Sequence, residues 1–213
     1  MDQKKLWQSK WSDKTLQLPP NNFASGAYKM IESKHKTLLD LGCGTGRDSL
    51  YFAHKGLKVT AADWSQSGLD QLKKLVEKRK IANLDNLDVI QQDISKLTFK
   101  PNSFDVIYAH LSLHYFDDKT TKEIFNKLYS ILKRDGLLFV KCKSTDDMLY
   151  GQGHKLEENM YERQNHVRHF FDKDYMTALL AKFQISKVRR SSSVYHSYKS
   201  SFIEAIAKKS GQK

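Results

Sequence analysis

The sequence predicts an α/β fold, a doubly wound parallel sheet covered by helices on both faces. Two observations carry that reading. Between residues 37 and 142, short β-like runs alternate with amphipathic helical stretches, as in a sheet built from crossover units. The length of 213 residues suits one domain with a single sizeable core.

The elements follow in order. Thr37–Leu41 (TLLDL) is an apolar run of strand length. A helix begins near Arg47 and stops at Gly56, a residue type that ends helices in the C′ position. Leu57–Ala62 (LKVTAA) is the second strand. Ser67, with Asp70 three residues on, reads as a capping-box variant for a helix that aligns Leu69, Leu72 and Val76. Leu87–Gln91 and Phe104–Ala109 (FDVIYA) are the third and fourth strands. Lys119–Arg134 sets Ile124, Leu128, Ile131 and Leu132 at helical spacing, and a turn at Asp135-Gly136 leads into Leu137–Cys142 (LLFVKC).

The rhythm then breaks. Residues 144–171 are polar and rich in Gly, His and Glu, and read as an insertion. An Asp172-capped helix and strands near Phe183–Arg189 and Phe202–Lys208 complete the chain. The chain divides into a helical leader or lid (1–35), a core (36–143), the insertion (144–171) and a C-terminal unit (172–213).

Composition narrows the function classes. Hydrophobic residues make up 39% and charged residues 28%, as in an ordinary globular protein. No apolar run approaches the roughly 20 residues that span a bilayer. The start, MDQKKLWQSKW, lacks an apolar signal core. Cys43 and Cys142 stand in no metal-like spacing, which points to free thiols in a cytoplasmic setting. The net charge of +12 invites a nucleic-acid partner, yet the basic residues are scattered. Their densest clusters, Lys73–Lys80, Lys187–Arg190 and the tail KKSGQK, read as solvated surface.

The stretch LDLGCGTGRDS decides among ligands. A phosphate-cradling P-loop ends in Gly-Lys-Ser/Thr, whereas here Arg47-Asp48-Ser49 follows. A dinucleotide fingerprint needs glycine at its sixth position, which is Arg47 or Ser49 here, and Asp48 would oppose a pyrophosphate. Asp40-Leu41-Gly42-Cys43-Gly44-Thr45-Gly46 instead resembles the first motif of class I S-adenosylmethionine-dependent methyltransferases, D/E-x-G-x-G-x-G. Further motifs match at the family's intervals: Asp63 closing VTAAD, Gln92-Asp93-Ile94 after the third strand, and FDVIYAHLSLHYF at the fourth.

The resemblance covers about Thr37 to Lys143. It implies a Rossmann-like seven-stranded sheet, mostly parallel with an antiparallel last strand, and S-adenosylmethionine as cofactor with S-adenosylhomocysteine as product. It assigns the ribose diol to Asp63 beside Trp64, the adenine to Asp93 and Ile94, and the methionine arm to His110 and Leu111. Gly42, Cys43, Gly44 and Gly46 form the loop, and Asp40 reaches the methionine amino group through water; Arg47, in the first turn of its helix, is placed to meet the cofactor carboxylate or an anionic substrate. The leader LWQSKWSDKTLQ and the stretch GRDSLYFAHKGLKVTAAD are similar to tellurite-resistance and thiopurine methyltransferase-like proteins, which makes Trp7 and Trp11 lid candidates or anchors of the leader.

The expected reaction is methyl transfer to a small molecule, with thiol, metalloid and acidic acceptors all open. Transfer from a sulfonium depends on alignment in a dry pocket. An oxygen or nitrogen acceptor often needs a base, and His110, at the fourth strand's exit, is the catalytic candidate, poised near neutral pH. Tyr108, His114, His166, Arg168 and His169 are substrate or lid candidates, the last three with Phe170 and Phe171 in a segment able to recognise an acidic group. No metal site is expected. The competing readings are an RNA methyltransferase and a non-catalytic cofactor-binding protein. As to assembly, a monomer or homodimer is expected.

Overall fold

The computed structural model describes Lys5, Gln8 and residues 19–78, 85–195 and 198–210. The order of elements is α1 (Asn22–Tyr28), β1 (Thr37–Leu41), α2 (Arg47–His54), β2 (Lys58–Asp63), α3 (Gln66–Lys78), β3 (Leu87–Gln91), a 3-10 turn (Ile94–Lys96), β4 (Phe104–His110), α4 (Asp118–Ile131), β5 (Leu132–Lys143), β6 (His154–Glu157), β7 (Met160–Arg163), β8 (His166–His169), α5 (Lys173–Leu179), β9 (Gln184–Tyr195) and β10 (Tyr198–Lys208). Seven strands form one sheet in the order β3-β2-β1-β4-β5-β10-β9. The first five run parallel, and β10 lies antiparallel to both β5 and β9. This is the Rossmann-like, doubly wound sheet with an antiparallel last strand.

Strand periodicity splits the core. Leu38, Val59, Val106, Tyr108 and Phe139 turn to one face, under Ala24 of α1 and Phe52 of α2. Leu39, Ile107, Leu138 and Val140 turn to the other, under Ile124 and Leu128 of α4 and Met176 of α5. The predicted face of α3 is real, with Leu69 and Leu72 buried. Helix α2 ends as its sequence implies: Gly56, at φ 86°, donates to Ala53 O, and Leu57 donates to Phe52 O.

The structure revises several expectations. The cap of α3 is Ser65, whose Oγ accepts from the Gly68 amide at 3.3 Å, while Asp70 accepts from Gln66 Nε2 instead. Helix α4 stops at Ile131, and β5 begins at once. The Asp135-Gly136 turn becomes a kink inside that long strand, with Asp135 at φ 64° and the register to β4 shifted there. The final strands are a 12- and 11-residue hairpin, longer than expected. Its distal half, rich in serine and lysine, buries too little apolar surface to show a period-2 signal.

The insertion is ordered as well. Strands β6, β7 and β8 form a separate antiparallel sheet. Gln164 and Asn165 join β7 to β8 with φ of 52° and 63°, a two-residue turn with left-handed backbone at both positions. Phe170 and Phe171 are buried at its base, 1% and 0% exposed.

Candidate functional site

The site is built at the carboxyl ends of the parallel strands. After Leu41 the chain turns through Gly42, Gly44 and Gly46, with φ of 79°, 58° and 76°. All three values lie in the left-handed region that glycine enters without steric cost. Packing adds a second demand: a Cβ on Gly42 would collide with Ser112, and one on Gly46 with Leu72. The turn is pinned by the Gly42 and Cys43 amides, which both donate to Ala62 O at 2.8 and 3.1 Å.

Asp63, at the end of β2, faces this turn. Its Oδ2 accepts from the Gly44 amide at 2.8 Å and its Oδ1 from the Ser65 amide at 2.8 Å. Each carboxylate oxygen has room for a further donor, the capacity needed to take a vicinal diol. The loss of water raises the Asp63 pKa, opposed by those two amides. Gln8 of the leader approaches the same corner, its carbonyl accepting from Ser67 Oγ at 2.7 Å. Trp64 is half-buried beside it. Trp7 and Trp11 lie outside the described residues.

Two more buried carboxylates stand behind the turn. Asp40, 3% exposed, accepts from Ser49 Oγ at 2.5 Å. Burial, then repulsion from Asp48 and Asp63, pushes its pKa up to about 8. Asp48, 7% exposed, accepts from the Asn21 amide at 3.1 Å, from the Asn21 side chain and from Tyr108 Oη at 3.1 Å. Arg47 Nε lies 3.4 Å from Asp48 Oδ1. This cluster was invisible in the sequence beyond the glycine motif. Asn21 is 27 residues from Asp48, and only the fold brings them together.

Tyr108 therefore fills core. It is 0% exposed, and its hydroxyl is committed to Asp48 and Asn21, so it does not line an acceptor pocket. His110 does share its face, the two rings lying within 10° of parallel at 6.3 Å. His110 differs from expectation in its acidity. Burial, together with Lys141 and Arg47, lowers its pKa to about 3, so the ring is neutral and weakly basic.

Leu111 is strained. It leaves β4 at φ 58°, a conformation unusual for an apolar side chain, while its amide holds Lys141 O at 2.8 Å. That reversal swings Ser112 back to donate to Leu41 O at 2.5 Å, locking the exit of β4 against the glycine turn. Farther along the sheet, Asp93 caps the 3-10 turn, accepting from the Ser95 amide and hydroxyl at 2.9 and 2.7 Å, with Ile94 buried behind it.

The insertion residues separate by role. His169, 3% exposed, packs on Phe171 and Tyr175 with Nδ1 3.2 Å from Phe116 O, and is a core histidine rather than a substrate group. His166 and Arg168 are half-buried on the opposite face of β8. Cys142 is buried and Cys43 half-buried, neither in a disulfide. Among the described residues no group of three or more His, Cys, Asp or Glu is placed to hold a metal ion, and no helix is long and apolar enough to cross a membrane.

Comparison with known proteins agrees with this geometry. Residues 38–136 match the family model described as a methyltransferase domain. Among solved structures, an S-adenosylmethionine-dependent methyltransferase of Methanosarcina mazei superposes with a TM-score of 0.78 at 20% identity, covering 92% of this chain and 100% of that one. A 1,6-didemethyltoxoflavin N1-methyltransferase of Burkholderia thailandensis, with bound 1,6-didemethyltoxoflavin and S-adenosylhomocysteine, gives 0.70 at 19% identity, over 98% of this chain and 84% of that one. TehB of Haemophilus influenzae gives 0.70 at 19%, over 97% and 67%. The first curated relatives are named as methyltransferases and are 29–32% identical. The chain spans only 42–57% of their length.

Proposed function

We propose that this chain, whose residues 38–136 match the model of a methyltransferase domain, transfers a methyl group from S-adenosylmethionine to a small-molecule acceptor. One observation carries the reading: a three-glycine turn with left-handed backbone, facing a β2 carboxylate that already holds the Gly44 and Ser65 amides. The donor set suits the cofactor. Asp63 is shaped for the ribose diol, Asp93 and Ile94 for the adenine edge, and the buried carboxylates Asp40 and Asp48 favour a ligand carrying positive charge.

When bound, S-adenosylmethionine supplies an electrophilic methyl group on a sulfonium. The chain's own contribution is position and the exclusion of water. Gly42 and Cys43, tied to Ala62 O, fix the turn, and Leu111 with Ser112 fixes the β4 exit beside it. His110, neutral at physiological pH, serves as a hydrogen-bonding group that orients the acceptor. A ring held near 3 suits acceptors that arrive as nucleophiles, such as thiolates or carboxylates, better than acceptors that must lose a proton. The β6–β8 sheet over the strand ends supports a small acceptor, and the free thiols of Cys43 and Cys142 suit a cytoplasmic setting.

Calorimetric titration with S-adenosylmethionine and S-adenosylhomocysteine tests the reading. Both bind the native chain, and Asp63→Ala weakens both by about 100-fold, the scale of two charge-assisted hydrogen bonds. Absence of binding to cofactor-stripped protein overturns the proposal.

A further inference from the structure

Groups that the cofactor does not use meet above the carboxyl ends of β4 and β5. The His169 amide donates to His114 O at 3.0 Å, and the Phe171 amide donates to Lys143 O at 2.8 Å. Strand β8 and the residues after it are thereby laid against the exits of β4 and β5. Arg168 is the residue before His169, and alternation along the strand turns it away from the packed side that His169 occupies. Its charge is felt by His114 and Lys143, and it feels in turn the charges of Tyr115 and Asp147.

Arg168 differs from the cations around it. Lys143 Nζ lies 2.7 Å from Asp147 Oδ2, and Lys141 Nζ lies 3.0 Å from Glu204 Oε1. Asp147 is engaged by Lys143 and by the amides of Leu149 and Ser201, and makes no hydrogen bond or close ion pair with Arg168. Arg168 is half-buried, and while its backbone lies in the β7–β8 ladder, its side chain makes no hydrogen bond or ion pair among the described residues. His114, 1% exposed, has an Nδ1 with no hydrogen-bond partner among them. A partly buried guanidinium and a buried unpartnered ring nitrogen, on segments joined by the hydrogen bond from the His169 amide to His114 O, are costly in isolation and complementary to an anion.

We propose that Arg168 and His114 form an anion-holding subsite of the acceptor pocket, and that the methyl acceptor is a small molecule bearing a carboxylate. This rests on the methyltransferase reading and specifies its substrate. Arg168 supplies the paired donors that match the two oxygens of the acid, and the neutral His114, in the tautomer protonated at Nδ1, donates a further hydrogen bond. The β6–β8 sheet is then the specificity element, and Lys143–Asp147 is its fixed neighbour.

The test is equilibrium binding to protein saturated with S-adenosylhomocysteine. The probes are acetate, benzoate, succinate and citrate, each paired with its neutral amide. At least one acid binds at least about tenfold more tightly than its amide. Arg168→Gln abolishes that preference and leaves S-adenosylhomocysteine affinity unchanged, which also shows that the variant is folded. Arg168→Lys keeps part of the preference. Equal binding of acids and amides, no acid binding in the millimolar range, or a preference that survives in Arg168→Gln overturns the subsite. Failure of the methyltransferase reading shows separately, as absent S-adenosylhomocysteine binding by the native chain. The acid titration of the unsaturated protein then still decides whether the subsite exists.

Discussion

Asp40 shows how a single buried carboxyl records the character of its surroundings. Its pKa, raised from 3.8 to about 8, means that the folded chain holds a proton there which the unfolded chain releases above pH 4. The stability tied to this group is fully present below the unfolded value and is lost as pH rises through 8. Asp48 and Asp63 shift in the same direction. Urea midpoints measured at pH 5 and pH 8.5 therefore fall for the native chain by an amount worth a few kcal/mol, and Asp40→Asn flattens much of that slope. A native midpoint that does not move contradicts this account. His110 gives a second prediction at this scale. Its pH–rate profile lacks an inflection near 6.5, and His110→Gln lowers kcat without shifting the profile. Asp40, Asp63 and His110 stand out in the sequence as candidates because they sit at motif positions. Their ionisation does not, because burial and neighbours set it.

At the scale of elements, the parallel strands and their helices were readable because the apolar periods are strong and each element is local. What stayed hidden lacks such a signal. The β7–β8 turn uses Gln164-Asn165, where asparagine and glycine would announce a hairpin, and the strands beside it are mostly polar. Gln164→Asn relieves a left-handed glutamine and raises stability by about 0.5–1 kcal/mol, read from chemical denaturation. Gly46→Ala acts oppositely at the start of α2. It places a Cβ against Leu72 at φ 76° and costs about 2–4 kcal/mol in strain and overpacking. The loss appears both in the urea midpoint and in cofactor affinity. An alanine variant as stable as the native chain would show that the turn tolerates a side chain.

Across the whole molecule, the order β3-β2-β1-β4-β5-β10-β9 puts β1 and β4 in the middle, with fully buried residues on both faces. Amides of Leu39, Val106 and Ile107 are expected to exchange slowest with solvent, at rates set by global unfolding. Those of β3 and of the β6–β8 sheet exchange through local opening, orders of magnitude faster. Uniform exchange across these strands would contradict this ranking. The net charge of +12 found no concentrated face in the sequence. The structure pairs some of the individual cations locally, as where Lys141 and Arg189 share Glu204 at 3.0 and 2.6 Å, and the excess of basic residues is left without carboxylate partners.

The antiparallel placement of β10 between β5 and β9 also sets a timetable for synthesis. Strand β5 leaves the ribosome about 55 residues before the partner that covers its outer edge, a wait of several seconds at bacterial or eukaryotic elongation rates. Through that interval a 12-residue strand with the apolar run Leu137–Val140 at its centre presents an open backbone edge to any other nascent chain. Chaperone demand, and the yield lost to aggregates on overexpression, should concentrate in that window. Ribosome-arrested chains stalled before Tyr198 should crosslink to trigger factor or its counterparts, and chains stalled well beyond Lys208 should not.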